Sequence, residues 1–227
     1  MSKASLPDVP WRQSEGLQAV LAALTDRDQH PRVVGGAVRD SLFGLPVADV
    51  DLATPLLPDV VIRRLERSGI KAVPTGLDHG TITAVALGQN FEITTLRRDV
   101  STDGRRATVA FTSNWHEDAA RRDFTINALY ADPVSGEIFD YFGGLDDLEA
   151  GIVRFIGVAD TRIAEDHLRI LRFFRFHARF GKGVADSVAI VACAKAAKSL
   201  MALSRERILD ELSKLLALPD PLASVSL

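Results

Sequence analysis

One short stretch constrains this chain more than any other: Val33-Val34-Gly35-Gly36-Ala37-Val38-Arg39-Asp40, followed by Asp49-Val50-Asp51-Leu52-Ala53. Val33 and Val34 read as the end of a short buried strand. Two glycines directly after a strand permit a tight turn and leave no Cβ between backbone N–H groups and an anion. A helix is expected to start there. Arg39 then lies one turn in, where its planar fork and the helix N-terminus both favour a polyphosphate. In Asp49-Val50-Asp51-Leu52, strand alternation puts both carboxylates on one face and turns Val50 and Leu52 inward. Such a pair suits Mg²⁺, which takes oxygen ligands at about 2.1 Å, shared between one or two carboxylates, waters and substrate phosphates. Either piece alone is usually only a turn or a solvated face; their succession points to nucleotide chemistry. A dinucleotide-binding fold is excluded, because no G-x-G-x-x-G follows Val34 and no acid closes a second strand at the ribose distance.

At 227 residues the chain can form one large or two small domains with an adequate core. Its net charge of −3 argues against a protein that coats nucleic acid nonspecifically. Charge distribution says more. Arginines cluster at 97 and 98, 105 and 106, 121 and 122, and at 162, 169, 172, 175 and 179, so basic groups can line one cleft under a negative total. The single cysteine, Cys193, lies in an Ala-rich stretch that reads as a buried structural thiol, compatible with a reducing cytoplasm. No run of about eighteen apolar residues or signal-peptide segment is found, so a cytoplasmic protein with no membrane partner is expected.

Periodicity predicts helices over Glu15 to Leu24 and Pro58 to Ser68, the latter stopped by Gly69. Lys71 to Pro74, Thr81 to Leu87 and Phe91 to Leu96 read as strands, the last two joined at Gly88-Gln89-Asn90 into a hairpin. Arg97 to Asn114 reads as a polar mobile loop. Glu137 to Tyr141 and Ile152 to Ile156 are two more expected strands, and from Asp160 onward the pattern is helical. Strands followed by helices give an α+β class: a mixed sheet with flanking helices, then an all-helical segment.

Three further places carry chemistry. Glu92 alternates away from Phe91 and Ile93, and an acid there completes or tunes the Asp49/Asp51 site, or is merely exposed. In Arg121-Arg122-Asp123-Phe124-Thr125-Ile126-Asn127, arginines can fork onto phosphate, and Asp123 and Asn127 share a face if the segment is helical, as ribose acceptors require. In Glu165-Asp166-His167-Leu168-Arg169, a helix sets Asp166 and Arg169 60° apart while Ile170, Leu171, Phe174 and His177 form the core face. Asp166 can accept from the amino group of cytosine or adenine, and Arg169 can donate to cytosine N3 or adenine N1; uracil and guanine present the opposite polarity. His167 and His177 read as structural.

Taken in order, Gly-Gly-Ala-Val-Arg-Asp with Asp-Val-Asp-Leu-Ala-Thr, Arg-Arg-Asp-Phe-Thr-Ile-Asn and Glu-Asp-x-x-Arg resemble the class II tRNA nucleotidyltransferase and bacterial poly(A) polymerase family over about residues 31 to 218. The resemblance implies a nucleotidyltransferase head over residues 1–157 and a helical neck over 158–227, with Leu203 to Leu216 similar to the family's neck helix and a Ser204 N-cap. It implies transfer of C and A from CTP and ATP to the 3′ end of tRNA, with two metal ions on Asp49 and Asp51 activating the 3′-hydroxyl and stabilising pyrophosphate. Catalytic residues would be Asp49, Asp51 and Glu92. Nucleotide-binding residues would be Gly35, Gly36, Arg39, Arg121, Asp123, Asn127, Asp166, Arg169, Arg172 and Arg175. The loop Arg97 to Arg106, with Asp99, Asp103, Arg105 and Arg106, resembles the family's C-to-A switching loop and favours CCA over CC addition; poly(A) addition, whose enzymes usually carry more basic flanks than this chain, and CC- or A-addition are the alternatives within the family. Family members continue into helical body and tail regions, so truncation is expected. The reading of another class is a noncatalytic nucleotide- or RNA-binding module.

Overall fold

Ser14 accepts from the N–H of Leu17 and starts α1 (Glu15–Leu24), whose Leu17, Val20, Leu21 and Leu24 are buried as the period of the sequence requires. This computed structural model describes residues 4–25, 30–102 and 107–221. They fall into two compact units: residues up to 99 with 109–121 and 127–141, and residues 100–108 and 122–126 with those from 142 on.

The first unit is built on a seven-stranded mixed sheet in the order β3-β4-β5-β2-β1-β8-β9, made of β1 (Arg32–Val34), β2 (Leu52–Thr54), β3 (Lys71–Gly76), β4 (Thr81–Ala86), β5 (Gln89–Thr95), β8 (Leu129–Ala131) and β9 (Ile138–Asp140). Only β2 and β5 run parallel, with Leu52 opposite Ile93. Between β1 and β2 lies α2 (Gly36–Leu42), and after β2 comes α3 (Pro58–Arg67), with Pro at its first position. α1 and α3 pack on the face carrying Ile82, Ala84 and Ala86. The opposite face of β4 and β5 carries Thr81, Thr83, Glu92 and Thr94, and is more open. There Thr81 pairs with Thr94 at 3.2 Å, and Thr83 with Thr75 at 2.9 Å. Along the β9 edge, Ala4 to Leu6 runs as a partial extra strand: Ser5 bridges Glu137, the Ile138 N–H donates to Ala4 at 3.1 Å, and the Leu6 N–H donates to Gly136 at 2.8 Å.

The hairpin turn sits one residue earlier than the glycine suggests. Leu87 and Gly88 both take positive φ, 48° and 77°, a two-residue connection whose twist matches the strands. Arg97 to Asn114, expected to be an irregular loop, instead forms a two-stranded ribbon, β6 (Arg97–Thr102) and β7 (Ala107–Phe111), before α4 (Trp115–Ala120). The switch-loop residues Asp103, Arg105 and Arg106 lie outside the described residues. Ile152 to Ile156, expected as a strand, contributes only the bridge of Phe155 to Phe124.

The second unit contains α5 (Gly144–Ala150), α6 (Ala159–Glu165), α7 (Leu168–Phe180), α8 (Ser187–Ala196) and α9 (Arg205–Leu216). Its core is aromatic: Phe124 lies 4.8 Å from Phe155 and 5.5 Å from Phe176, and Phe155 stacks on Phe173. The core face of α7 is Ile170, Phe173, Phe176, His177 and Phe180; Leu171 and Phe174, expected there, are only half-buried. The face is set by Phe173 and Phe176, which pack against Phe124 and Phe155. Among the described residues, no helix is long and apolar enough to cross a membrane.

Candidate functional site

In the first unit the site begins at the turn after β1. Gly35 has φ 68° and ψ −115°, a conformation that a side chain would strain, and its N–H is held by Leu129 O at 3.0 Å. The first bond of α2 runs from the Arg39 N–H to Gly35 O, leaving the N–H groups of Gly36, Ala37 and Val38 ahead of the intrahelical ladder. Asp49 and Asp51 are exposed, and Val50 and Leu52 are buried, as alternation predicts. The two carboxylates stand just before β2 rather than inside it, with Asp51 O accepting from the Val34 N–H at 3.0 Å. Leu52 lies beside Ile93, so one residue back along the parallel pair Asp51 comes beside Glu92, which is also exposed.

Two exposed carboxylates form a hard oxygen donor set that fits a divalent cation whose remaining shell is water and phosphate. Among the described residues no three acids, histidines or cysteines cluster closely enough to hold a metal by themselves. Glu92 therefore shares the face without forming a ready-made third ligand.

Arg39 is not presented to solvent. It is 6% exposed, its Nη2 lies 2.6 Å from Asp40, and its Nη1 donates to Asn127 Oδ1. Arg121 donates to Asp118 at 2.9 Å, and Asp118, almost wholly buried, also accepts from the Arg97 N–H at 3.1 Å and the Tyr130 hydroxyl at 2.6 Å. Asp118 escaped sequence reasoning, although an acid three residues before Arg121 in a short helix is a recognisable pairing.

The segment from Asp123 to Asn127 is not the α-helix that a shared ribose face requires. Phe124 is drawn into the bridge with Phe155, and Thr125 to Asn127 form a single 3₁₀ turn. Asp123 accepts from Arg172 at 2.7 Å, whereas Asn127 accepts from Arg39. Thr125, between them, donates to the buried Asp147 at 2.6 Å, and Arg154 also binds that acid.

In the second unit Asp166 and Arg169 are not two positions of one helix. Asp166 is extended, φ −154° and ψ 107°, in the break between α6 and α7. Its Oδ1 accepts from the Leu168 N–H at 3.1 Å and its Oδ2 from Arg207 at 2.8 Å. Arg169 donates to Glu165 at 2.6 Å and to Arg162 O at 3.0 Å, and Glu165 also holds Arg162. Arg172 and Arg175 converge on Glu211, itself 3% exposed, at 3.5 and 2.6 Å. Burial alone would lower the Arg172 pKa, but the charge of Asp123, with Glu211 and Asp166 behind it, outweighs burial and raises it. Glu211 and Arg207 were missed by sequence reasoning. The signal for Glu211 was an acid three residues after Ile208 and four before Leu215, inside the apolar stripe of α9, where only a paired charge is tolerated.

His177 is buried and stacked on Phe173, and burial lowers its pKa. The Cys193 thiol is pushed up to about 12 by burial. Ser204 precedes α9 as expected, but its side chain makes no capping bond.

Comparison with known proteins gives consistent results. The family described as the poly(A) polymerase head domain matches residues 31–154. The chain is 44% identical over 217 residues, 94% of its length, to the human mitochondrial CCA tRNA nucleotidyltransferase 1. It is 35% identical to the Bacillus stearothermophilus CCA-adding enzyme solved with CTP, with a TM-score of 0.80 over 93% of this chain and 50% of that one. A Thermotoga maritima CCA-adding enzyme complexed with tRNA is 27% identical, with a TM-score of 0.74 over 98% of this chain and 53% of that one. The chain spans about half the length of the curated relatives it matches.

Proposed function

Because this chain belongs to the poly(A) polymerase head-domain family, we propose that it forms the head and neck of a template-independent RNA nucleotidyltransferase that adds C and A, from CTP and ATP, to the 3′ end of tRNA. The observation that carries the reading is the pair of exposed carboxylates, Asp49 and Asp51, set around buried Val50 next to the Gly35 turn. The names of the relatives and the CTP and tRNA in their solved structures support the substrates. We take residues 1–157 as the head and 158–227 as the neck.

Nucleotidyltransferases of this family use divalent metal ions. We assign Mg²⁺ to Asp49 and Asp51; bound there, it would neutralise triphosphate charge and favour displacement of pyrophosphate. The N–H groups of Gly36 to Val38 would receive phosphate oxygens, helped by the positive end of α2. Glu92 would take the proton that the RNA 3′-hydroxyl gives up as it attacks the α-phosphorus. Arg39 and Asn127 would hold the phosphate turn in shape rather than grip phosphate, which the buried pairing of Arg39 supports. Arg121 is assigned to the triphosphate. Asp123, through Arg172, would order the region under the ribose, and Arg175 would share that task through Glu211. Asp166 and Arg169 would read the Watson–Crick edge of the incoming base. A cytoplasmic setting stays part of the proposal, supported by the lone buried thiol.

The test is incorporation by the 227-residue chain with Mg²⁺, giving CTP and ATP separately to tRNA ending at the discriminator base, at C and at CC. C should enter the first two and A the third. Binding of the nucleotides without incorporation on any of the three would overturn the reading and leave a noncatalytic binding module.

A further inference from the structure

An acid that accepts from a base amino group must keep one lone pair turned toward the base, and backbone geometry does not secure this for Asp166. The residue is extended between two helices, so no regular helical ladder fixes its side chain. One oxygen is held locally by the Leu168 N–H. The other is held from 41 residues further along the chain, by Arg207 on α9. A carboxylate has about four lone-pair sites, so both oxygens can keep these donors and still accept from a base.

We propose that Arg207 is a positioning residue that sets nucleotide selection by holding the Asp166 carboxylate in the orientation that meets the base; this rests on the reading of Asp166 given under Proposed function. Arg169 has its own brace within the same stretch, Glu165 and the Arg162 carbonyl. Arg172 and Arg175 are committed to Asp123 and Glu211. Arg207 donates directly to the reading acid, at 2.8 Å. The Arg207 and Asp166 side chains keep 33% and 29% of their exposure, and ion pairs this wet contribute little to folding. Selectivity and stability should therefore separate when Arg207 is changed.

The experiment measures Kd for CTP, ATP, UTP and GTP in the presence of Mg²⁺, with melting temperature on the same preparations, for the 227-residue chain, Arg207→Gln and Arg207→Lys. The unaltered chain should prefer CTP and ATP by about tenfold or more, the discrimination of one good bidentate contact. In Arg207→Gln that preference should fall to within about threefold, through weaker CTP and ATP binding at unchanged UTP and GTP binding. Full preference in Arg207→Gln, whatever its melting temperature, would overturn the inference. Should the Gln variant not fold, Arg207→Lys decides: one nitrogen on a shorter reach should give at least a twofold loss, and undiminished preference would equally overturn it. No preference in the unaltered chain would instead defeat the reading of Asp166 itself, and the inference with it.

Discussion

Arg39 of α2 donates to Oδ1 of Asn127, 88 residues later, and both side chains are buried. A turn expected to meet phosphate is thus tied through its first helix to the 3₁₀ turn that precedes β8. Asn127→Ala removes an acceptor from a buried guanidinium N–H, which should cost about 1 to 3 kcal/mol. Thermal unfolding checks this. The same variant should raise the KM for CTP more than it lowers kcat, because the phosphate turn loosens while the carboxylates stay in place.

Asp49→Ala and Asp51→Ala should behave in the opposite way. Both side chains are exposed, so melting should shift by no more than about 0.5 kcal/mol equivalent, the range of surface substitutions. Nucleotide incorporation should fall by about a thousandfold or more, since several kcal/mol of charge stabilisation are lost. Near-normal incorporation in either variant would remove the proposed chemistry.

Glu211→Ala tests the charge network of the second unit. It strips a buried acid from Arg172 and Arg175, leaving Arg175 in particular with little water to replace it. Breaking a buried pair at one end costs about 3 to 5 kcal/mol, and the partly exposed Arg172 places the expected loss near the lower figure. For a chain of this size that is a fall in Tm of about 6 to 12 °C. A change under 2 °C would show that water already serves these arginines.

His177 gives a pH prediction whose sign follows from burial. Its folded pKa is lowered, so the unfolded chain takes up the proton first as pH falls. The neutral ring's contribution is fully present above the unfolded value of about 6.5 and diminishes as pH drops below it toward the lowered folded value. Denaturant melts at pH 7.5, 6.5 and 5.5 should show less loss of stability in His177→Phe, which keeps the stack on Phe173, than in the unaltered chain. Parallel pH dependence in the two would exclude His177 as the source.

Local features were legible where the cause was local. The period of α1, the proline at the head of α3 and the alternation through Asp49 to Leu52 depend on neighbours in sequence, and the structure reproduces them. Asp123 and Asn127 were misread as helical partners because each is recruited from far along the chain, by Arg172 and Arg39, and the bridge of Phe124 outweighs helical propensity between them. Asp166 and Arg169 have the spacing of a helical pair, yet the helix breaks at Asp166, and no periodicity signals that its partner is Arg207. Polar contacts of long sequence separation leave little trace in one sequence, whereas apolar periods do.

The segment Ala4 to Leu6 runs beside the start of β9 and takes up the Ile138 N–H and the Gly136 carbonyl. The other edge, β3, protects itself with Pro74 and an irregular register between Val73 and Gly76. The β9 edge has no such blunting of its own within Ile138–Asp140. Trimming the chain to begin at Pro7 would therefore expose a strand able to recruit its counterpart from another molecule, turning a monomer-compatible sheet into a seed for edge-to-edge aggregation.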